Sequence, residues 1–327
     1  MSLPQNWSKA NPFRKSIFKE NRDAQPKKIG RVILTFLLMF VVAALIGILF
    51  MKHVLLNAKD LNQQLADSPY YTQTEGSLSA KFKSLSLETS IPEEVFAEAA
   101  MDQYALRQLT RTNNEQALNY LVAPESTYGA AADHSMFEEP VMAYVENYAA
   151  DHNQPFDKDL QAQTAAVIDE ATALFGSHTI LLNLDNVIAY PQFQNFRKIL
   201  QTVLAYFYLV PLAFFLIAGA LVGLNWKLPH RSLIWIGSSF VSGSAFVIIP
   251  ASVALSLKIP QCITVSADYI NTVLRALAMH YTVFLLVSGA LVFFLGVACL
   301  VGYSVISKAK RAVYRQNRTY AAEMEQY

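Results

Sequence analysis

Long apolar stretches recur four times along the chain and are separated by polar segments. Each is at least 20 residues long and lacks Asp, Glu, Lys, Arg and His; they are Val32–Met51, Ile199–Trp226, Ser232–Leu257 and Tyr281–Ser307. Because an α-helix rises about 1.5 Å per residue, about 20 residues cross the ~30 Å hydrocarbon core of a bilayer. The pattern predicts an all-α membrane protein with transmembrane helices at residues 32–51, 199–226, 232–257 and 281–307.

The first apolar stretch has to be distinguished from a cleavable signal peptide. Its apolar run of 20 residues exceeds the ~7–15 residues of a signal-peptide core, and no clean cleavage site with small residues follows it. The next residues, Lys52 to Leu56, continue the helical pattern. We therefore expect this stretch to remain as a membrane anchor.

The polar segment at residues 52–198 carries helix signals. Ser90-Ile-Pro-Glu93 and Ser135-Met-Phe-Glu138 match the capping box that opens helices, and Asp157 is a further N-cap candidate. They predict one helix that runs to about Leu121, a second, and a third that stops at Gly176. Apolar residues recur on one face of each helix, so the three need a common core. We expect a mainly helical domain.

The segments around these helices are less clearly patterned. Residues 59–87 contain Pro69 and Gly76 and are predicted to form a looser stalk or loop. The apolar run Thr179–Ala189 fits either a short strand or a helix. Pro191 then begins a run that enters the second apolar stretch without a linker. We expect this run to couple the polar domain rigidly to the membrane.

The segment between the third and fourth apolar stretches, residues 258–280, is a short loop in this scheme. Apolar residues recur in it at helical spacing, namely Ile270, Val273, Leu274, Leu277 and Tyr281. This spacing predicts a short amphipathic helix. It lies on the outer membrane surface or packs under the large polar domain.

The charges orient this scheme in the membrane. Residues 1–31 carry eight Lys/Arg against two Asp/Glu, residues 308–327 carry five against two, and residues 52–198 carry nine against twenty, a net charge of −11. Because basic flanks stay in the cytoplasm, both tails and the basic turn 227–231 are predicted to be cytoplasmic. The acidic domain and the loop 258–280 are then extracellular. We expect a multi-pass protein of the cell (plasma) membrane with a mostly flexible N-terminal tail.

The four apolar stretches contain no ionisable group. Proton-coupled carriers, voltage sensors and intramembrane proteases need such groups at membrane depth, so the sequence argues against these classes. Small residues suited to close helix packing lie in the last two stretches: Ser238, Ser239, Ser242, Gly243, Ser288, Gly289, Gly296 and Gly302. A hydroxyl-lined permeation path is the alternative interpretation. Pro211 and Pro250 are expected to kink their helices.

Histidine is the residue type that offers candidate chemistry. His53 and His280 both lie at the predicted outer membrane boundary and, if they meet, form a candidate catalytic pair for a lipid-modifying enzyme. His134, His152 and His178 are expected to be exposed at helix ends. No histidine has a partner at metal-ligand spacing, and no nucleophile or nucleotide-binding motif occurs. We therefore predict no metal and no cofactor. Because the outer domain is acidic, we also predict no nucleic-acid partner.

The order of the elements resembles known membrane proteins. Its topology is similar to that of FtsX/MacB-like exporters. The elements are, in order, one span, a large outer domain, a second span, the tight turn Asn225–Arg231, a third span, a short outer loop and a last span. The chain more closely resembles uncharacterised four-span integral membrane proteins of Gram-positive bacteria, whose outer region holds a helix opening like Ile91-Pro-Glu-Glu-Val95. That likeness covers most of the chain and implies no activity. The two cysteines, Cys262 and Cys299, provide no disulfide framework, which fits a bacterial surface.

These observations favour a non-enzymatic membrane protein. A helical outer domain without a catalytic motif, carried on spans without charges, predicts a sensor, an accessory subunit or a scaffold. Besides the lipid bilayer, its partner is expected to be a membrane or cell-surface protein, a wall polymer or a peptide. Two alternatives stay open. One is an envelope enzyme that acts on lipid or lipoprotein through His53 and His280, and the other is a transport component.

Overall fold

The computed structural model describes residues 12–100, 103–129, 134–226, 228–264 and 268–324 of the 327-residue chain. Of these described residues, 86% are helical and none lies in a β-strand. The predicted all-α class is therefore confirmed. The helices form two compact units. We call them the apolar unit, which holds the segments up to Ile48, Phe207–Val253 and the residues from Phe284, and the polar unit, which holds Leu49–Tyr206 and Ala254–Val283.

The described part of the chain forms twelve α-helices. They are α1 (Pro12–Phe50), α2 (Ala58–Asp67), α3 (Tyr70–Thr89), α4 (Glu93–Ala100), α5 (Gln103–Val122), α6 (Ser135–Asp151), α7 (Lys158–Thr179), α8 (Asp185–Ile188), α9 (Pro191–Ala205), α10 (Leu209–Leu224), α11 (Ser232–Ser256) and α12 (Asp268–Met324). A π-helical turn, Met51–Leu55, continues α1, and 3₁₀ turns cover Pro229–Arg231 and Ile259–Cys262. The N-terminal tail is thus helical from Pro12, where a mostly flexible segment was expected.

Three helical segments are long and apolar enough to cross a membrane: Lys28–Leu55, Pro229–Ser256 and Ile270–Lys310. A fourth candidate is the pair α9 and α10, which is bent by 48° at a short break. Three to four spans are therefore compatible with the helix lengths, and the predicted four require the bent pair to count as one span. The last segment begins earlier than the predicted boundary at Tyr281, because α12 is continuous.

The break between α9 and α10 lies at Tyr206–Tyr208, just before Pro211. Proline has no N–H to donate to the carbonyl four residues earlier, and its ring collides with that carbonyl. For Pro211 this carbonyl belongs to Phe207, which instead accepts from the Val210 N–H at 3.2 Å. The run from Pro191 enters the second apolar stretch without a linker, as predicted, and stays helical to Ala205. The expected kink at Pro211 is present as this 48° bend. By contrast, α11 continues through Pro250 without a break.

Glycines allow α11 and α12 to approach closely inside the apolar unit. A Cβ atom on Gly237 would lie 2.9 Å from the Gly296 carbonyl oxygen, and one on Gly296 would lie 2.8 Å from the Gly237 carbonyl oxygen. A Cβ atom on Gly289 would lie 2.8 Å from Ile248 Cγ1. The predicted close packing is confirmed at Gly289 and Gly296. At Gly302 it is not found, since nothing lies within 4 Å of a Cβ atom there.

The small residues of α11 also contact α1. The Ser239 hydroxyl donates to the Thr35 backbone carbonyl at 2.9 Å, and a Cβ atom on Gly243 would lie 2.7 Å from the Met39 carbonyl oxygen. Both contacts require the two backbones to be close, as expected for a small-xxx-small pair. The buried core of the apolar unit lies beside them and consists of Leu38, Val42, Ile46 and Leu221.

The polar unit has an aromatic core to which several helices contribute. Phe82 of α3, Phe96 of α4, Phe137 of α6 and Phe175 of α7 are all fully buried. Their ring centroids lie 5.7–5.8 Å apart in successive pairs, a spacing at which aromatic rings attract one another. The common core that the amphipathic helices were predicted to need is present.

The segment 59–87 is not the looser stalk or loop that we expected from its sequence. It forms α2 and α3, which bury Leu65, Tyr70, Leu78 and Phe82 completely. Pro69 precedes the first residue of α3, where a missing N–H costs nothing. Gly76 lies inside α3 with open space beyond it. Long-range packing has stabilised helices whose local signals are weak.

The two predicted N-caps at Asp157 and Ser90 have different outcomes. Asp157 caps α7 by accepting from the Leu160 N–H at 2.9 Å. Ser90, however, does not cap α4; it lies in the left-handed region at φ 60° and ends α3. Glu93 accepts from the Ser79 hydroxyl at 2.8 Å, so the first predicted capping box is wrong.

Other boundaries differ by a few residues. The helix predicted to run to about Leu121 is α4 followed by α5, and Asp102 between them lies outside the described residues. In the case of α7, the helix continues three residues beyond Gly176 to Thr179. Only the single-turn helix α8 occurs within the run Thr179–Ala189, which excludes the strand alternative.

The first turns of α12 belong to the core of the polar unit. Val273 is 1% exposed and Leu277 is 7% exposed, and both join the same hydrophobic cluster as Phe82. This corresponds to the predicted packing under the large domain. The predicted short helix is, however, not separate, because α12 continues past His280 and Tyr281.

Arg197 anchors α9 to the end of α5. Its Nε atom donates to the Tyr120 carbonyl at 2.7 Å and its Nη2 atom donates to the Ala123 carbonyl at 2.9 Å. Its guanidinium carbon lies 3.8 Å from the centroid of the Tyr120 ring. A cation is favourable at a helix C-terminus, where backbone carbonyls lack helical partners. Because of this contact, α9 is fixed to the polar unit.

Candidate functional site

A groove of about 330 Å³ opens in the polar unit between α3, α6 and α7. Its walls come from the end of α3, one face of α6, the turn after α6 and one face of α7. The lining residues are Glu88, Thr89, Ser90, Ile91, Tyr144, Val145, Tyr148, Gln154, Leu160, Gln163, Thr164 and Val167. Its volume falls at the lower end of the range typical of small-ligand pockets.

Two chain reversals leave this groove open. At the end of α3 the left-handed Ser90 turns the chain toward α4, and after α6 the left-handed Asn153 (φ 53°) turns it toward α7. Asn tolerates this region better than most residues, whereas Ser at φ 60° is uncommon. Thr89 supports the first reversal, because its hydroxyl oxygen accepts from the Ile91 N–H at 3.4 Å across Ser90.

Stacked rings form one wall of the groove. The Tyr144 and Tyr148 centroids lie 6.2 Å apart at an interplanar angle of 25°, and the Tyr148 and His152 centroids lie 4.1 Å apart at 23°. Tyr144 and Tyr148 are four residues apart on α6 and share one helix face, and His152 continues this spacing at the residue that follows the helix. Tyr148 is 48% exposed. The stack therefore offers an open aromatic surface that is already ordered.

The opposite sides of the groove supply polar groups. Gln154 and Gln163 are exposed and carry amides that both donate and accept hydrogen bonds. Glu88 adds a carboxylate at the C-terminal end of α3, where helix carbonyls already give a partial negative charge. An aromatic surface with amides and an acidic rim suits a neutral or weakly cationic ligand that has flat apolar faces and hydrogen-bond donors.

The two histidines predicted as a catalytic pair lie in different surroundings. No hydrogen bond, ion pair or ring contact links His53 with His280 within the described residues. His53 is exposed, whereas His280 Nε2 lies 3.5 Å from Asp60 Oδ2, and both of these atoms are buried. At 3.5 Å the pair is longer than a good hydrogen bond. Asp60 is a partner that the sequence did not reveal, since it lies more than 200 positions away.

The other histidines divide into two groups. His134 and His152 are exposed, as predicted; His134 Nε2 lies 3.1 Å from Asp169 Oδ1. His178 was also expected to be exposed, but only 6% of its surface is accessible. Its Nδ1 atom lies 2.8 Å from the Leu174 carbonyl oxygen, and its Nε2 atom lies 3.2 Å from the Ser77 hydroxyl. Packing of α7 against α3 buries it.

The buried His178 predicts a pH-dependent stability of the polar unit. Burial lowers the pKa of its imidazole from the ordinary value of 6.5, although the Leu174 carbonyl opposes this shift. The unfolded chain then binds a proton more readily than the folded one, so stability is full above about pH 6.5 and falls as the pH drops toward the lowered pKa. Thermal unfolding of the full chain in detergent, measured between about pH 5 and about pH 8, checks this.

Two variants make that pH dependence specific. His178→Gln is expected to flatten the decline in melting temperature below about pH 6.5, because the group that takes up the proton is gone. His152→Gln is the matched control and is expected to keep the decline. An unchanged decline in His178→Gln would assign the effect to other groups.

No protein-family model, curated protein or solved structure matches this chain. The likeness to FtsX/MacB-like exporters and to four-span proteins of Gram-positive bacteria stays a prediction.

Ser238, Ser239 and Ser242 line a smaller pocket of about 210 Å³ together with Thr35 and Trp235. Two of these hydroxyls are engaged by the backbone, since Ser238 and Ser239 both donate to the Trp235 carbonyl at 2.9 Å. These local bonds favour helix packing over a permeation path. In the described part of the chain, no group of three or more His, Cys, Asp or Glu residues is placed to hold a metal ion.

Proposed function

We propose that this chain is a non-enzymatic membrane protein that binds a ligand through the groove beside Tyr148. The supporting observation is an open, pre-ordered aromatic stack with amides around it, within a unit that has its own fully buried core. Ordered rings lose little conformational entropy on binding, which favours affinity. The protein then acts as a sensor, an accessory subunit or a scaffold.

The proposal includes a topology. We assign residues 52–198 to the outside of the cell membrane and both chain ends to the cytoplasm, with residues 199–226, which hold the end of α9 and all of α10, as the second of four spans. The charge distribution supports this assignment, because residues 1–31 are strongly basic and residues 52–198 are strongly acidic. The ligand is then a segment of a surface protein, a peptide or a wall polymer.

A crosslinking pull-down from native membranes tests the groove. Full-length protein with a tag on its C-terminal tail is recovered after crosslinking, and the copurifying molecules are identified by mass spectrometry. Tyr148→Ala combined with Gln163→Ala is expected to reduce recovery of the specific partner roughly tenfold or more, since exposed aromatic anchors dominate binding energy at interfaces. Both side chains are exposed, so the fold is expected to persist.

Tyr190→Ala is the control, because Tyr190 is also an exposed tyrosine of the polar unit at 60% but does not line the groove. It is expected to leave recovery unchanged. Equal recovery of every partner by the groove double variant and by Tyr190→Ala would contradict ligand binding at this groove.

An interfacial enzyme is the second candidate, and the pairing of Asp60 with His280 favours it. A carboxylate that orients an imidazole is a recurring feature of general-base sites. His280→Gln would then abolish turnover of a lipid or lipoprotein substrate, whereas the groove double variant would not. Unchanged envelope lipid and lipoprotein profiles in cells that carry His280→Gln would exclude this candidate.

A further inference from the structure

A second pocket of the polar unit, of about 280 Å³, lies between α2, α3 and α5. We call it the basic pocket. Its lining includes Lys59, Asn62 and Gln63 of α2, Tyr71 of α3, and Arg107 and Arg111 of α5. It shares no lining residue with the groove beside Tyr148.

The charge of the basic pocket is opposite to that of its surroundings. Residues 52–198 contain nine Lys/Arg against twenty Asp/Glu, yet three of those nine cations line this one pocket and no carboxylate does. Arg107 and Arg111 are four residues apart and so share one face of α5. Gathering cations on one surface costs repulsion, which a bound anion would offset.

The two arginines have contacts that hold them, but the three cations are little neutralised. The Arg107 guanidinium lies 5.2 Å from the centroid of the Tyr71 ring, and Tyr71 itself is buried. Arg111 Nε pairs with Glu115 at 2.9 Å, which leaves its two terminal nitrogens. Within the described residues, no carboxylate pairs with Arg107 or Lys59.

A neutral amide also lines the basic pocket. Asn62 Oδ1 accepts from Asn114 Nδ2 at 3.0 Å, whereas Asn62 Nδ2 and Asn114 Oδ1 are buried without a protein partner among the residues that the structure describes. Asn62 therefore adds a polar, uncharged wall beside the cations.

We propose that the basic pocket binds a phosphate group. Guanidinium groups match the oxygens of phosphate through paired hydrogen bonds, and a phosphate has enough oxygens for two arginines and a lysine at once. Gln63 is engaged elsewhere, since its amide donates to Asp67 at 3.1 Å. The phosphate belongs either to an anionic lipid or to a soluble molecule.

The position of Lys59 along the chain favours the lipid. Lys59 follows Leu55, the last residue of the first candidate span, by four residues. Four residues extend at most ~15 Å. Lys59 is therefore within reach of the headgroup layer if Lys28–Leu55 crosses the membrane.

The test uses the full-length protein in a neutral detergent. Short-chain phosphatidylglycerol, short-chain phosphatidylcholine and inorganic phosphate are titrated separately, and binding is measured by calorimetry. Arg107→Gln combined with Arg111→Gln is expected to weaken phosphatidylglycerol binding roughly tenfold or more, because charge-assisted hydrogen bonds are lost. Arg107→Lys with Arg111→Lys is expected to weaken it less, since charge remains but the paired geometry does not.

Lys83→Gln combined with Lys158→Gln is the matched control, because it removes the same charge from exposed positions outside the basic pocket. It is expected to bind like the wild type. Inorganic phosphate that binds and competes with the lipid supports a soluble source, and phosphatidylglycerol binding alone supports a lipid source. If the arginine double variant, still helical by circular dichroism, binds all three probes as the wild type does, the proposal is overturned.

Discussion

Replacing Gly296 with leucine is expected to destabilise the apolar unit by about 3 kcal/mol, the upper end of the usual cost of overpacking. The reason is backbone contact: a Cβ atom at this position would lie 2.8 Å from the Gly237 carbonyl oxygen and 2.9 Å from Phe240 Cβ. Neither atom belongs to a flexible side-chain end, so α11 and α12 have to separate. The close approach is reciprocal, because a Cβ atom on Gly237 would lie 2.9 Å from the Gly296 carbonyl oxygen.

Gly302→Leu is the control for this variant, because Gly302 lies on the same helix with nothing within 4 Å of a Cβ atom. Its unfolding free energy is expected to change by less than about 0.5 kcal/mol, as for other open surface positions. Unfolding of the detergent-solubilised full chain in increasing SDS, followed by circular dichroism, measures both variants. Equal stability of the two leucine variants would show that α11 and α12 do not pack through Gly237 and Gly296.

The largest expected effect in the polar unit is that of Phe82→Ala. Phe82 is fully buried, and its ring contacts those of Phe96 and Phe137 at centroid distances of 5.7 and 5.8 Å. Truncating a buried phenylalanine removes apolar contacts and leaves a cavity. We therefore expect the free energy of unfolding of the polar unit to fall by about 3–5 kcal/mol. Hydrogen exchange of the full chain, read by mass spectrometry on α3 peptides, is expected to accelerate roughly a hundredfold or more.

Leu87→Ala is the matched control for Phe82→Ala, since Leu87 lies on the same helix and is 79% exposed. It is expected to leave the exchange of α3 amides almost unchanged. The comparison also tests whether residues 70–89 are a helix with a core, as the structure has them, or the loose stalk that their sequence suggested. Rapid exchange of α3 in the unmodified protein would favour the stalk.

Local sequence signals predicted the polar unit unevenly. Asp157 was found because an N-cap acts on an N–H only three residues away, and that bond forms as expected. Ser90 matched the same kind of motif and yet ends the preceding helix. The motif alone cannot tell which of two adjoining helices uses a residue. Here the burial of Ile91 and Phe96 against α3 decides it.

The candidate sites were harder to predict than the helices. The groove combines side chains from α3, α6 and α7, and the basic pocket combines Lys59 with Arg107 and Arg111, about 50 positions away. No periodic pattern links residues at such separations. The sequence suggested His53 and His280 because both lie near predicted membrane boundaries, but the partner that His280 has is Asp60.

The sequence by itself determined the all-α class, the candidate membrane-spanning helices and the need for a core in the polar unit. Those features depend on apolar periodicity and helix length, which are properties of consecutive residues. Only the tertiary structure decided that α2 and α3 are ordered, that His178 is buried, and which cations meet in the basic pocket. The physical reason is that long-range packing sets burial and brings distant charges together, and neither is a property of neighbouring positions along the chain.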